Sequence, residues 1–177
     1  MNNSETYLSC SSPTLLSRII KLNMSVHYFI YTGGMQVVPK NVTHVRFDPS
    51  VTHIATVAFQ DCSALVNVEL HNGIRTIGKR AFQNCTALND IDLPDGLQRI
   101  KEWAFLSCSS LIRIIVPPTV IDIGESAFLK CIVLMEVVFH EGLQRIEKSA
   151  FSGCPLLGVK IPSSITSIGT MHLHVNS

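Results

Sequence analysis

From residue 42 onward the apolar positions of this chain fall in a figure that repeats every 23 residues. Ala-Phe pairs stand at Ala58-Phe59, Ala81-Phe82, Ala104-Phe105, Ala127-Phe128 and Ala150-Phe151. A cysteine follows each pair at one offset (Cys62, Cys85, Cys108, Cys131, Cys154), and then a leucine (Leu65, Leu88, Leu111, Leu134, Leu157). Val42, Val45, Phe47, Val51 and Ile54 already occupy the matching slots one period earlier. A fixed period of this length marks a stack of similar units, each hiding its apolar side against the next.

One unit, residues 108–128, shows what each element does. Ile114 and Val116 alternate about Ile115, which predicts a strand with one face inside. Pro117-Pro118 ends it, because proline supplies no ladder donor. Val120 and Ile123 lie three apart in an extended return segment. Glu125 to Cys131 suits a short helical turn, with Ala127, Phe128 and Cys131 on one side. The inward strand slots of the other units are Val68/Leu70, Ile91/Leu93 and Val137/Phe139. The expected class is α/β, built from about five such units.

Three segments follow. Residues 1–27 do not fit the repeat; Asn, Ser and Thr dominate their first part, which reads as a loose tail. Met24 begins Met-Ser-Val-His-Tyr-Phe and reads as the natural start. Residues 28–171 form the solenoid, with Tyr28 to Val38 expected as a hairpin-like lid over the first rung. Residues 172–177 form a C-terminal tail. The fifth unit is one residue short, since Val159-Lys160-Ile161-Pro162 comes a position early. The array stops inside a unit with no evident cap, so self-association through that last repeat is one expectation.

The unit Cys-x-x-Leu-x-x-Ile-x-Ile-Pro-x-x-Val-x-x-Ile-Gly-x-x-Ala-Phe resembles the BspA-type leucine-rich repeat. Residues 108–128 match almost every slot, and the likeness covers residues 37–171. Tyr31-Thr32-Gly33-Gly34 and Val42-Thr43-His44-Val45-Arg46 are similar to the opening of many such proteins from diatoms. The resemblance implies a curved leucine-rich-repeat solenoid with a parallel β-sheet on the concave face and short helical turns and extended segments on the convex side. It also implies protein-protein or cell-surface binding, and it carries over no catalytic residue. Lys101 and Glu147 depart from it, standing where glycine is usual.

Composition narrows the classes of function. The chain has 177 residues, 46% of them hydrophobic, and a formal net charge of +1. No basic stripe with interleaved aromatics is present, which argues against nucleic acid as a partner. No apolar run reaches the ~18 residues of a membrane span. The N-terminus lacks a secretory pattern, so a cytoplasmic location is expected. Five of the six cysteines share one repeat position, which predicts a buried, reduced thiol ladder rather than disulfides; Cys10 lies outside it. Asn-x-Ser/Thr matches begin at Asn2, Asn23, Asn41 and Asn84 and matter if the chain is exported. His71 and His140 share a slot three rungs apart and cannot share an ion, and His172 and His174 lack a third ligand. Neither a metal nor a cofactor is expected. No phosphate loop, dinucleotide fingerprint, zinc-protease motif or nucleophile elbow occurs, which points away from an enzyme.

Candidate binding residues lie between the inward strand slots. One outward column is His44, Asn67, Asp90, Arg113 and Glu136; its neighbour is Arg46, Glu69, Asp92, Ile115, Val138 and approximately Lys160. Glu69, Asp90 and Asp92 form an acidic group flanked by Arg46 and Arg113. Ile115 and Val138 place two β-branched apolar groups together on a face that meets water. Apolar groups with a charged rim are the usual anatomy of a contact surface. The function expected is a non-enzymatic scaffold binding an unknown protein partner through Arg46, Glu69, Asp90, Asp92, Arg113, Ile115, Glu136 and Val138. The alternative is a cell-surface or adhesion-type repeat protein, part of a longer array.

Overall fold

A computed structural model describes residues 26–170. Cys10, Met24, His172, His174 and the sites at Asn2 and Asn23 lie outside the described residues. So do the expected terminal tails, apart from Val26 and His27. The strands in chain order are β1 (Phe29–Tyr31), β2 (His44–Phe47), β3 (His53–Ile54), β4 (Asn67–Glu69) and β5 (Thr76–Ile77). Then come β6 (Arg99–Ile100), β7 (Arg113–Ile115), β8 (Asp122–Ile123), β9 (Glu136–Val138), β10 (Arg145–Ile146) and β11 (Ser167–Ile168). Every pairing is parallel. The chain is therefore a parallel solenoid.

The concave face is built from β1-β2-β4 and from β7-β9, two ladders separated at residues 90–92. Ile91 and Leu93, expected in a strand, belong to none. Short polar side chains explain the break. Three of residues 89–92 are Asn or Asp, which compete with the ladder for backbone partners. Asp90 Oδ1 accepts the N–H of Ile91 at 3.1 Å. By the 23-residue period, Asp92 would also stand opposite Glu69, a like-charge pair that opposes close approach. Val159 to Ile161 form no strand either.

The return segment does more than expected. It forms the one continuous sheet, in the order β11-β10-β8-β6-β5-β3. Its inward residues Ile54, Ile77, Ile100, Ile123 and Ile146 are buried, while Ile168 in the last strand is 45% exposed. The bonds from Lys101 N–H to Ile77 and from Glu147 N–H to Ile123, 3.0 and 2.9 Å, match those at Gly78 and Gly124, 3.0 and 2.8 Å. The two non-glycine residues leave this ladder unchanged.

The expected helical turn is absent, as is any helix among the described residues. Backbone handedness is the reason. Ser126 and Lys130 have φ of 53° and 61°, in the left-handed region. The N–H groups of Ser126, Phe128 and Lys130 point to the next rung and meet the carbonyls of Lys148, Ala150 and Ser152 at 2.8–2.9 Å. Those of Ala127, Leu129 and Cys131 close local turns three residues back. A helix would direct all six inward to its own segment. The alternation satisfies each rung and also ties it to its neighbour.

The expected hairpin lid is also corrected. β1 pairs with β2 in parallel, Tyr31 opposite Phe47, and so forms a further rung. Tyr31 is fully buried, with its ring 5.1 Å from Phe47 and 5.0 Å from Phe59. From there the aromatic column runs through Phe59, Phe82, Phe105, Phe128 and Phe151. Successive centroids lie 5.0–5.3 Å apart, with ring planes within 13° of parallel. Rung spacing of about 4.8 Å permits this offset stack.

Beside it stands the thiol ladder. The Sγ of Cys85, Cys108, Cys131 and Cys154 donates to the carbonyl of Phe59, Phe82, Phe105 and Phe128, respectively, at 3.1–3.2 Å. A small hydrophobe with one weak donor fits a site that is dry but holds a carbonyl. Burial pushes the Cys108 thiol up to about 12. All five cysteines among the described residues are free and buried.

Phe105→Ala opens a void in the middle of the column, and its expected cost is ~3–5 kcal/mol in chemical denaturation. An unchanged midpoint would place that ring outside the core. Val57 has φ 56°, which a β-branched residue tolerates poorly. Val57→Asn keeps the backbone and relieves that strain, so calorimetry should show a gain of about 1 kcal/mol.

Candidate functional site

Parallel pairing brings the expected columns of residues into register. Arg46 stands opposite Glu69, and Arg113, Ile114 and Ile115 oppose Glu136, Val137 and Val138. Val45, Val68, Ile114 and Val137 turn into the core. Arg46, Arg113, Ile115 and Glu136 are exposed, while Glu69 and Val138 are half-buried. Ile115 and Val138 therefore sit side by side on the outer surface.

The acidic group divides. Glu69 Oε2 accepts from Arg46 Nε at 2.7 Å. The Arg46 guanidinium also lies over the Tyr28 ring, 4.4 Å from its centroid. Arg46 first and the Tyr28 hydroxyl second hold the Glu69 carboxyl below the usual carboxylate range. Glu69 is thus neutralised within its own end of the face. Asp90 and Asp92 have no cation partner among the described residues.

These two carboxylates line the break in the sheet. A cleft of about 200 Å³ lies there, with Asp90, Asp92, Asp95 and Arg113 at its rim and Leu93, Ile115, Pro117 and Pro118 among its apolar walls. His140 also lines it, and its buried Nδ1 has no partner. A smaller cleft of about 100 Å³ lies on the other side of the same segment, against Val66, Asn67 and Val68. Missing ladder bonds open the face on both sides of residues 90–92. No group of side chains that could hold a metal occurs among the described residues.

A further apolar feature lies outside the strand slots. Ile112, Met135 and Leu157 are 50%, 45% and 65% exposed and form a strip at the foot of the concave strands. Backbone bonds from Met135 to Ile112 and from Leu157 to Met135, 3.1 and 3.0 Å, stack them on successive rungs. The last step spans 22 residues, the structural form of the short fifth unit. Ile132 is 60% exposed as well. Part of the signal was present in the sequence: the slot after Leu holds Asn89 and then Ile112 and Met135, and the slot after Cys turns from Ser63, Thr86 and Ser109 to Ile132.

Parallel rungs over one aromatic column, with varied side chains on an open face, define a leucine-rich-repeat type of solenoid. A family model described as the BspA type leucine rich repeat region matches residues 52–176 in six copies, well over half the chain. The chain belongs to that family.

Solved structures are similar to it. A leucine-rich repeat protein from Bacteroides ovatus is 27% identical with a TM-score of 0.65, over 73% of this chain and 40% of that one. A leucine rich cell surface protein from Faecalibacterium prausnitzii is 28% identical with a TM-score of 0.70, over 82% of this chain and 44% of that one. The leucine rich repeat protein of T. pallidum is 30% identical with a TM-score of 0.58, over 80% and 78%. The chain thus spans under half the length of the first two. No curated protein matches it.

The ion pair at the first rungs gives a pH signature. A carboxyl whose folded-state pKa is depressed stabilises above its ordinary range and loses that contribution as acid protonates it. The Arg46–Glu69 contribution is therefore expected to be complete at neutral pH and to vanish as pH falls through about 4.3 and below. Glu69→Gln should flatten that part of a plot of melting temperature against pH. An unchanged acid limb would show that the pair adds nothing to stability.

Proposed function

We propose that this chain is a non-enzymatic interaction scaffold that binds a protein partner through the concave face between Glu69 and Val138. One observation carries the reading: Ile115 and Val138 stand in register on the outer surface, beside carboxylates that have no cation partner among the described residues. Apolar groups ringed by charge are what a contact surface presents. The rigid ladders beneath hold that surface in one shape before binding, which lowers the cost of association.

The paired change Ile115→Asp and Val138→Asp tests it. Affinity purification from the native cells with wild-type bait is expected to retain a partner that the double variant loses, at an unchanged melting temperature. Equal retention by both baits would remove the concave face from the proposal.

A second reading places the chain at a cell surface. The description of the Faecalibacterium neighbour as a cell surface protein supports it. Asn41, exposed in a turn and followed by Val42-Thr43, is then the natural glycan acceptor in a eukaryotic secretory route.

A further inference from the structure

We propose that the apolar strip and the cleft beside it form one docking surface for an extended segment of a partner protein, one carrying lysine or arginine next to apolar residues. This rests on the concave face being the binding face and names the chemistry it selects. Single exposed apolar side chains are ordinary, but a contiguous group is not. Ile112, Met135 and Leu157 are joined rung to rung by backbone bonds. Ile115, 41% exposed, follows Ile112 by three residues and also lines the cleft. The acidic cleft therefore begins on the strand that Ile112 leads into.

Charge complementarity identifies the occupant. Three carboxylates, Asp90, Asp92 and Asp95, meet at the cleft against one guanidinium, Arg113. None of the four engages in an ion pair among the described residues. Other carboxylates on the strands are neutralised: Arg46 takes Glu69, and Arg99 and Arg145 both take Asp122. The cleft gathers three carboxylates against one guanidinium, so its net charge is negative. A long basic side chain suits both parts of such a cleft. Its aliphatic stem lies along Leu93, Ile115 and Pro117, and its cation reaches the carboxylates. Apolar neighbours in the same segment cover Ile112, Met135 and Leu157. An anionic surface, whether nucleic acid or lipid, would meet the same carboxylates in repulsion.

The probe is a phage-displayed library of random peptides selected on the purified chain, with the enriched peptides then synthesised singly. Lys or Arg flanked by apolar residues is expected in them. Asp90→Asn with Asp92→Asn should weaken their binding by about tenfold and reduce its salt dependence. Met135→Ser with Ile112→Ser should weaken it comparably without altering the salt dependence. Enriched peptides without a basic residue, or indifferent to the Asp pair, overturn the inference. If those peptides still lose binding to Ile115→Asp with Val138→Asp, the concave reading survives the loss. Peptides indifferent to that pair as well remove both. No enrichment over a blank surface overturns the inference too. Because the aspartates, Ile112 and Met135 are exposed, these variants are expected to fold, which circular dichroism checks.

Discussion

Two spacings must agree for this molecule to exist. A parallel backbone ladder sets one rung at about 4.8 Å from the next. Offset aromatic rings stack at nearly that separation, and here their centroids lie 5.0–5.3 Å apart. One repeat distance therefore serves hydrogen bonds and ring packing together. The consequence is strict register. Every rung must return each residue type to the same place, so the core can use only a few side chains: Phe in one column, Cys beside it, Leu and Ile around them. The outer slots carry no such demand. They are where sequence varies from unit to unit, and where recognition can be written without disturbing the stack.

The inner columns were readable in the sequence because burial leaves a periodic trace. Ala-Phe, Cys and Leu recur at one offset, and all of these Phe, Cys and inward Ile slots are buried. Backbone handedness leaves a fainter trace. Glu125 to Cys131 has a composition a helix would accept, and what prevents it is the neighbouring rung's need for donors. The clue lay elsewhere in the same column. The left-handed slot filled by Lys130 holds Asp61, Asn84, Ser107 and Gly153 in the other units. Asn, Asp and Gly are the residues that favour that region. The opening segment misled for a related reason. Gly33-Gly34 between apolar pairs suggests a hairpin, yet Tyr31 stands opposite Phe47 in a parallel rung. Its neighbours in the aromatic column decide its place, and they are distant in sequence.

The face was legible as columns and not as a surface. Strand alternation correctly puts Arg46 beside Glu69 and Ile115 beside Val138. Periodic reasoning also assigns a strand to every unit, and so it hides the units that have none, the one at 90–92 inside the stack and the one at 159–161 near its end. Three Asn or Asp residues in the four positions 89–92 were the warning. The strip of Ile112, Met135 and Leu157 was hidden differently. It sits just ahead of the alternating slots, and Leu157 reaches it only because its unit is one residue short.

A broken rung in the middle of a stack should weaken it, since each unit touches only its neighbours. Here it does not interrupt the stack, because three kinds of ladder run in parallel. Across the break in the concave sheet, β5, β6 and β8 remain paired in the second sheet. On the convex side Phe82 N–H still meets Ala104, and Phe105 N–H meets Ala127, at 2.8 and 2.7 Å. The concave face is therefore the one layer that can lose its bonds locally while register is kept by the other two. That redundancy lets Asp90 and Asp92 occupy a strand position they suit poorly. Departures from local rules that the surroundings absorb tend to mark functional positions. By this argument the stack does not require a ladder at Asp90 and Asp92, and the opened rung leaves both carboxylates exposed on the concave face.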